Sequence, residues 1–107
     1  MFHSIMEADE RLNVTVRVFT TLRELIGEKQ LKLSFKKRLT LRELMTHLSE
    51  KYGKKFHNYV FNGEGEFRSY IQFFINGEQI KNSDIEHLTL KDGDVVAIIP
   101  PVSGGSI

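Results

Sequence analysis

The sequence predicts an α+β domain in which a mixed sheet of about five strands carries one long helix packed across it. Three observations lead there. Asn13 to Phe19 and Lys29 to Phe35 alternate apolar and polar residues with period 2. Thr40 to Gly53 gathers its apolar residues on one helical face. The stretch Asp94 to Ile99 (DVVAII) is apolar on both faces, as a strand in the middle of a sheet must be. At 107 residues there is room for one domain with one modest core.

In chain order, residues 1–12 carry no periodicity and are expected to form a loose extension, with the domain over 13–99 and a flexible tail over 100–107. Strand one (NVTVRVF) turns Val14, Val16 and Val18 to one side and Thr15 and Arg17 to the other. Thr20 to Ile26 reads as a short helix, with a threonine as N-cap and Gly27 suited to a left-handed C-terminal cap. Strand two alternates Leu31, Leu33 and Phe35 with lysines and Ser34. In the long helix, Thr40 and Glu43 form a capping box, and Leu41, Leu44, Met45, Leu48 and Tyr52 make the apolar stripe. Lys54 to Ser69, glycine-rich at NGEGE, reads as a long variable loop. Tyr70 to Ile75 is a third strand, and Asn76-Gly77 suits a type I′ hairpin into a short fourth strand, Glu78 to Ile80. Ser83 and Glu86 are placed to cap a brief helical turn before the final strand.

A helix connection favours a right-handed crossover, so the last strand is expected to lie parallel beside the first. That is the β-grasp, or ubiquitin-like, arrangement. Other classes are excluded by composition. With no cysteine, disulfides, thiolate metal sites and a cysteine nucleophile are ruled out. No stretch approaches the roughly 20 apolar residues of a membrane span, and MFHSIMEADERL lacks the apolar core of a secretory signal, so a cytoplasmic location is expected. The net charge of +1 gives no global pointer to nucleic acid, yet Lys29 to Lys55 is markedly basic and the stretch from Phe56 onward is acidic. This is either a solvated surface or one that steers protein partners.

The segments VRVFTTLRELIG, FFINGEQI and above all LKDGDVVAIIPPVSGG resemble the MoaD/ThiS family of ubiquitin-like sulfur carriers, on the side of MoaD, the small subunit of molybdopterin synthase, over roughly Asn13 to Gly105. The resemblance implies a carrier with no activity of its own and no cofactor bound by the chain. An E1-like adenylating enzyme uses ATP to activate the terminal glycine, which becomes a thiocarboxylate and delivers sulfur to a pterin precursor on the large subunit of molybdopterin synthase. On this reading Gly105, after trimming, and Gly104 are the reacting residues.

The chemistry of the tail is consistent with that role. A carboxylate is a poor electrophile, and coupling it to AMP supplies a leaving group. Gly104 and Gly105 have no side chain to clash in a narrow tunnel, while Pro100 and Pro101 stiffen the base of the tail and, with Val102 and Ser103, are expected to contact the partner. Gly105 is, however, in amide linkage to Ser106, with Ile107 following. Three readings stay open: a processing protease removes these residues, the chemistry has been abandoned, or the tail binds a partner without reacting. If the carboxylate is exposed, the acceptor is either a small molecule or the lysines of other proteins, the latter making the chain a protein modifier.

The remaining candidates carry less. His3, His47, His57 and His87 lack metal-site spacing, so no metal is expected. Asp92 and Asp94 flank a glycine and read as turn residues. GEGE lacks the lysine of a phosphate loop, and no stacking aromatics sit among the basic residues, so neither ATP nor nucleic acid is an expected ligand of the chain itself. If Ile71, Phe73 and Ile75 face the helix, period 2 turns Phe74 outward beside Gln72. With Val96 and Ile98, or their alternating neighbours, Phe74 is then expected to form an apolar partner patch, unless the 54–69 loop covers it.

Overall fold

The computed structural model describes residues 11–100. The expectations for 1–10 and for Pro101, Val102, Ser103, Gly104, Gly105, Ser106 and Ile107 lie outside them. The elements are β1 (Leu12–Val18), α1 (Thr20–Ile26), β2 (Gln30–Phe35), α2 (Leu41–Tyr52), α3 (Lys54–Val60), β3 (Gln72–Ile75), β4 (Glu78–Gln79), α4 (Asn82–Ile85) and β5 (Val95–Ile99). The strands form one sheet in the order β2-β1-β5-β3-β4. β1 and β5 are parallel, in register Val16 with Val96, and the other pairs are antiparallel. This is the ubiquitin-like β-grasp, with the last strand at its centre as its two-sided apolarity requires.

One face of the sheet is sealed. Val14, Val16 and Val18 of β1, Phe73 of β3, and Val96 and Ile98 of β5 are buried against Leu41, Leu44, Met45 and Leu48 of α2. The α2 capping box is present: the Thr40 hydroxyl accepts from Glu43 N at 3.1 Å, and Glu43 Oε1 accepts from Thr40 N at 2.9 Å. Asn76 and Gly77 both have positive φ, 53° and 87°, as the type I′ turn demands.

Four expectations need correction. Leu12, assigned to the extension, is the first residue of β1 and is buried. Thr20 does not cap α1: it lies inside the helix at φ 45°, Phe19 is the N-cap, and the Phe19 carbonyl accepts from Leu22 N and Arg23 N in place of a side chain. Ser83 makes no cap either, since α4 begins after Lys81 without a side-chain bond. The largest difference concerns 54–69, which is not a variable loop. Its first half is α3, which buries Phe56 and Val60 in the core. Its second half is a turn built on Asn62, whose Oδ1 accepts from Glu64 N and Glu66 N at 2.8 and 2.9 Å.

Arg42 pins that turn to α2. Its Nη1 donates to Gly65 O at 2.8 Å, its Nε and Nη2 grip Glu86 at 2.9 and 2.7 Å, and its guanidinium lies 5.2 and 4.9 Å from the ring centres of Phe61 and Phe67. The hydrogen bond to Glu86 raises the Arg42 pKa above its ordinary value and lowers that of Glu86 below the ordinary glutamate range.

Candidate functional site: the outer sheet face at the root of the tail

The opposite face of the sheet carries the candidate site. Side chains alternate along a strand, so burial of Val96 and Ile98 turns Val95, Ala97 and Ile99 outward. The placement of Val96 and Ile98 in an exposed patch is therefore wrong, because the register to Val16 and Val18 directs both into the core. Their alternating neighbours take the place. Phe74 is half-buried and outward, paired with Ala97, and its neighbour Phe73, which points inward, is the one that meets the 54–69 segment through an edge contact with Phe67 at 5.3 Å. That segment thus packs beside the inward Phe73, while Phe74 belongs to a groove of about 330 Å³ lined by Arg17, Phe19, Gln72, Phe74, Val95, Ala97 and Ile99.

Arg17 and Arg23 both approach the Phe19 ring, with guanidinium carbons 5.6 and 5.5 Å from its centre. The Nε of Arg23 is buried without a hydrogen-bond partner among the described residues. Among the described residues no acidic side chain lines the groove, and Arg17 supplies its charge. Gln72 pairs with Ile99, and Pro100, half-buried, is the last described residue. The groove and the tail therefore share one element: β5 supplies the groove's central residues and then runs into PPVSGG.

Arg17 and Phe19 are additions to the expected site, and Gln72 lies beside Phe74 on the outward face, as period 2 predicts. Period 2 already turned Arg17 outward, but its place beside Ala97 depends on the parallel register, which no sequence pattern states. Asp92 and Asp94 are turn fixtures, as their place beside Gly93 predicts: Asp92 Oδ1 accepts from Asn13 N and Nδ2, while Asp94 accepts from Asn76 Nδ2 and Lys91 N. Among the described residues, no three His, Cys, Asp or Glu side chains converge as a metal site would need, and no helix is long and apolar enough to cross a membrane.

The profile of the ThiS family matches residues 16–105, from within β1 to the second glycine of the tail. The chain belongs to the ThiS family. This is a family of ubiquitin-like sulfur carriers and small archaeal modifiers, and the chain is similar to proteins named for either role. It is 27% identical over 94 residues to small archaeal modifier protein 3 of Haloferax volcanii, spanning 88% of this chain and 100% of that one. The solution structure of small archaeal modifier protein 1 from Methanosarcina acetivorans superimposes with a TM-score of 0.71 at 31% identity, covering 89% of this chain and 98% of the other. A Pyrococcus furiosus protein described as a candidate molybdopterin converting factor subunit 1 matches with a TM-score of 0.65 at 29% identity, over 85% and 99% of the two chains.

Proposed function

We propose that this protein is a sulfur carrier of the MoaD type. Cleavage after Gly105 exposes a carboxylate that an E1-like enzyme adenylates with ATP, releasing pyrophosphate. A persulfide of a partner protein then attacks the carbonyl and displaces AMP. Cleavage of the resulting acyl disulfide by a second thiol leaves a thiocarboxylate on Gly105. The acceptor is a precursor held by the large subunit of molybdopterin synthase, the protein itself is cytoplasmic, and ATP is bound by the activating partner alone. The observation that carries this reading is the continuity of β5, which lines the outer groove through Val95, Ala97 and Ile99 and leads directly into PPVSGG. A partner that grips the groove, including Phe74, thereby fixes the origin of the tail and positions its end.

A second reading is supported by the likeness to two small archaeal modifier proteins, over 88% and 89% of this chain. In that case the activated Gly105 is transferred to lysine amines. Both readings share the adenylation step and differ in the acceptor.

The test has two stages. A chain ending at Gly105 should form an acyl-adenylate with the E1-like enzyme of the source organism, while the 107-residue chain should not unless a processing protease is added. Equal adenylation of the two forms defeats the trimming step, and adenylation of neither defeats both readings. Intact mass of the protein recovered from its native cell then decides between them: a terminal oxygen replaced by sulfur after Gly105 supports the carrier, and covalent adducts on lysines support the modifier.

A further inference from the structure

A second cleft, of about 800 Å³, lies on the molecule away from the groove, and four cations line it: Arg11, Lys37, Arg38 and Lys91. They come from three parts of the chain. Arg11 enters β1, Lys37 and Arg38 join β2 to α2, and Lys91 precedes the turn into β5. Backbone bonds fix their meeting, because Leu90 N donates to Leu39 O at 2.8 Å and Leu12 stands opposite Phe35 in the β1–β2 register. Asp92, the one acid in the lining among the described residues, has an oxygen already engaged by Asn13 N and Nδ2. Among the described residues none of the four cations forms an ion pair, and Arg11 makes only a long 3.4 Å bond to Ser34 Oγ. Like charges gathered at fixed positions repel one another, and an anionic partner relieves that repulsion.

The chemistry of the lining narrows the occupant. Two guanidinium groups suit planar, bidentate carboxylates, and the lining also contains the apolar Leu12 and Leu90. Among the described residues no aromatic side chain lines the cleft on which a base could stack, which disfavours single-stranded nucleic acid. Position adds a further constraint. The cleft lies at the N-terminal end of β1, and the parallel β5 leaves the sheet at the other end. At about 3.3 Å per residue, the strand length separates cleft and tail by more than about 12 Å.

We propose that this cleft docks an acidic peptide segment of a protein partner, one rich in glutamate or aspartate with an interspersed aliphatic residue, and that it can be occupied while the tail is engaged elsewhere. The site is separate from the outer groove, and the proposal stands whether or not Gly105 is activated.

The test is fluorescence anisotropy of a labelled peptide alternating glutamate and leucine, titrated with the 107-residue protein. Saturable one-to-one binding that weakens with added salt is expected. The double variant Lys37→Glu with Arg38→Glu should weaken it about tenfold or more, while Lys54→Glu with Lys55→Glu, the same charge change on the exposed part of α3, should alter it less than about twofold. All four side chains are exposed, so circular dichroism should report an unchanged fold. Glu7, Asp9 and Glu10 precede Arg11 in the sequence and carry the same chemistry as the ligand, so Glu7→Gln with Asp9→Asn and Glu10→Gln should leave binding unchanged or tighter. The proposal is overturned by equal losses in the two charge-reversed pairs, by absence of binding in both the parent and the neutralised variant, or by tighter binding of an oligothymidylate of matched charge.

Discussion

The two faces of the central sheet are built from nearly the same residues and do opposite things. Along β5, Val96 and Ile98 are completely buried, while Val95, Ala97 and Ile99 remain partly exposed. In β3, Phe73 is completely buried and its neighbour Phe74 is not. Apolar area on the inner face has already been removed from water by α2 and α3, so its contribution is stability. Apolar area on the outer face is still hydrated, and it contributes free energy only when a partner covers it. A residue's type therefore says little about its role here, and the parity of its position in the strand says nearly everything.

The largest effects should come from the inner face. Leu44→Ala and Leu48→Ala, at fully buried positions of α2, should each destabilise by about 2 to 5 kcal/mol in urea unfolding, with any loss of function following from unfolding. A small effect at both would break the contrast, because the helix would not then be what seals that face. The rim of the sealed face should be less sensitive. Arg42→Ala removes the contacts to Gly65, Glu86 and two aromatic rings and should cost about 1 to 2 kcal/mol, with increased amide exchange across 61–67. Unchanged exchange there would mean that the turn holds itself through Asn62.

The outer face should behave differently. Phe74→Ala should change stability by about 1 kcal/mol or less, yet weaken capture by the proposed E1-like partner about tenfold or more, measured by surface-immobilised binding with the chain ending at Gly105. Loss of stability matching that of Leu48→Ala, with unaltered enzyme binding, would place Phe74 in the core and dissolve the comparison.

The legibility of the fold in the sequence depends on where periodicity carries information. In β1 the alternation of valines with Thr15 and Arg17 states both the strand and its buried side, and the structure agrees. In β5 every position from Val95 to Ile99 is apolar, so the pattern announces a central strand but is silent about which set points inward. Only the register against β1 decides, which is why Val96 and Ile98 fell on the wrong face. The segment 54–69 failed for another reason. Phe56 and Val60 have the spacing of one helical face, but α3 is a seven-residue helix entered from Gly53 at φ 92° without a side-chain cap. Its helical state is stabilised by burial rather than by local signals. The glycines in NGEGE pointed to looseness, whereas Asn62 and Arg42 together fix that turn. The groove residues Arg17 and Phe19 required knowing which strands are neighbours, whereas period 2 alone puts Gln72 beside Phe74.

The smallest expected effect tests whether the rim is electrostatic or merely packed. The Arg42 hydrogen bond holds the Glu86 carboxyl below its ordinary range, so the folded state favours the ionised form. A carboxyl with a depressed folded pKa contributes stability above its unfolded value, and that contribution is lost as the pH falls through the folded one. The raised pKa of Arg42 has the opposite sign, full below the unfolded value and lost only in strong alkali, so it adds nothing to the acid behaviour. Because the two side chains are 36% and 44% exposed, solvent screens the pair and its worth should be about 0.5 kcal/mol or less. Urea midpoints of the parent and Glu86→Gln should therefore differ slightly near neutral pH and converge as the pH drops well below the ordinary glutamate value of about 4.3. Comparing the two proteins at each pH removes the acid sensitivity they share. A difference that persists undiminished in acid would show that Glu86 acts through its contacts rather than its charge, and that the rim of the sealed face is held in the same way as its interior.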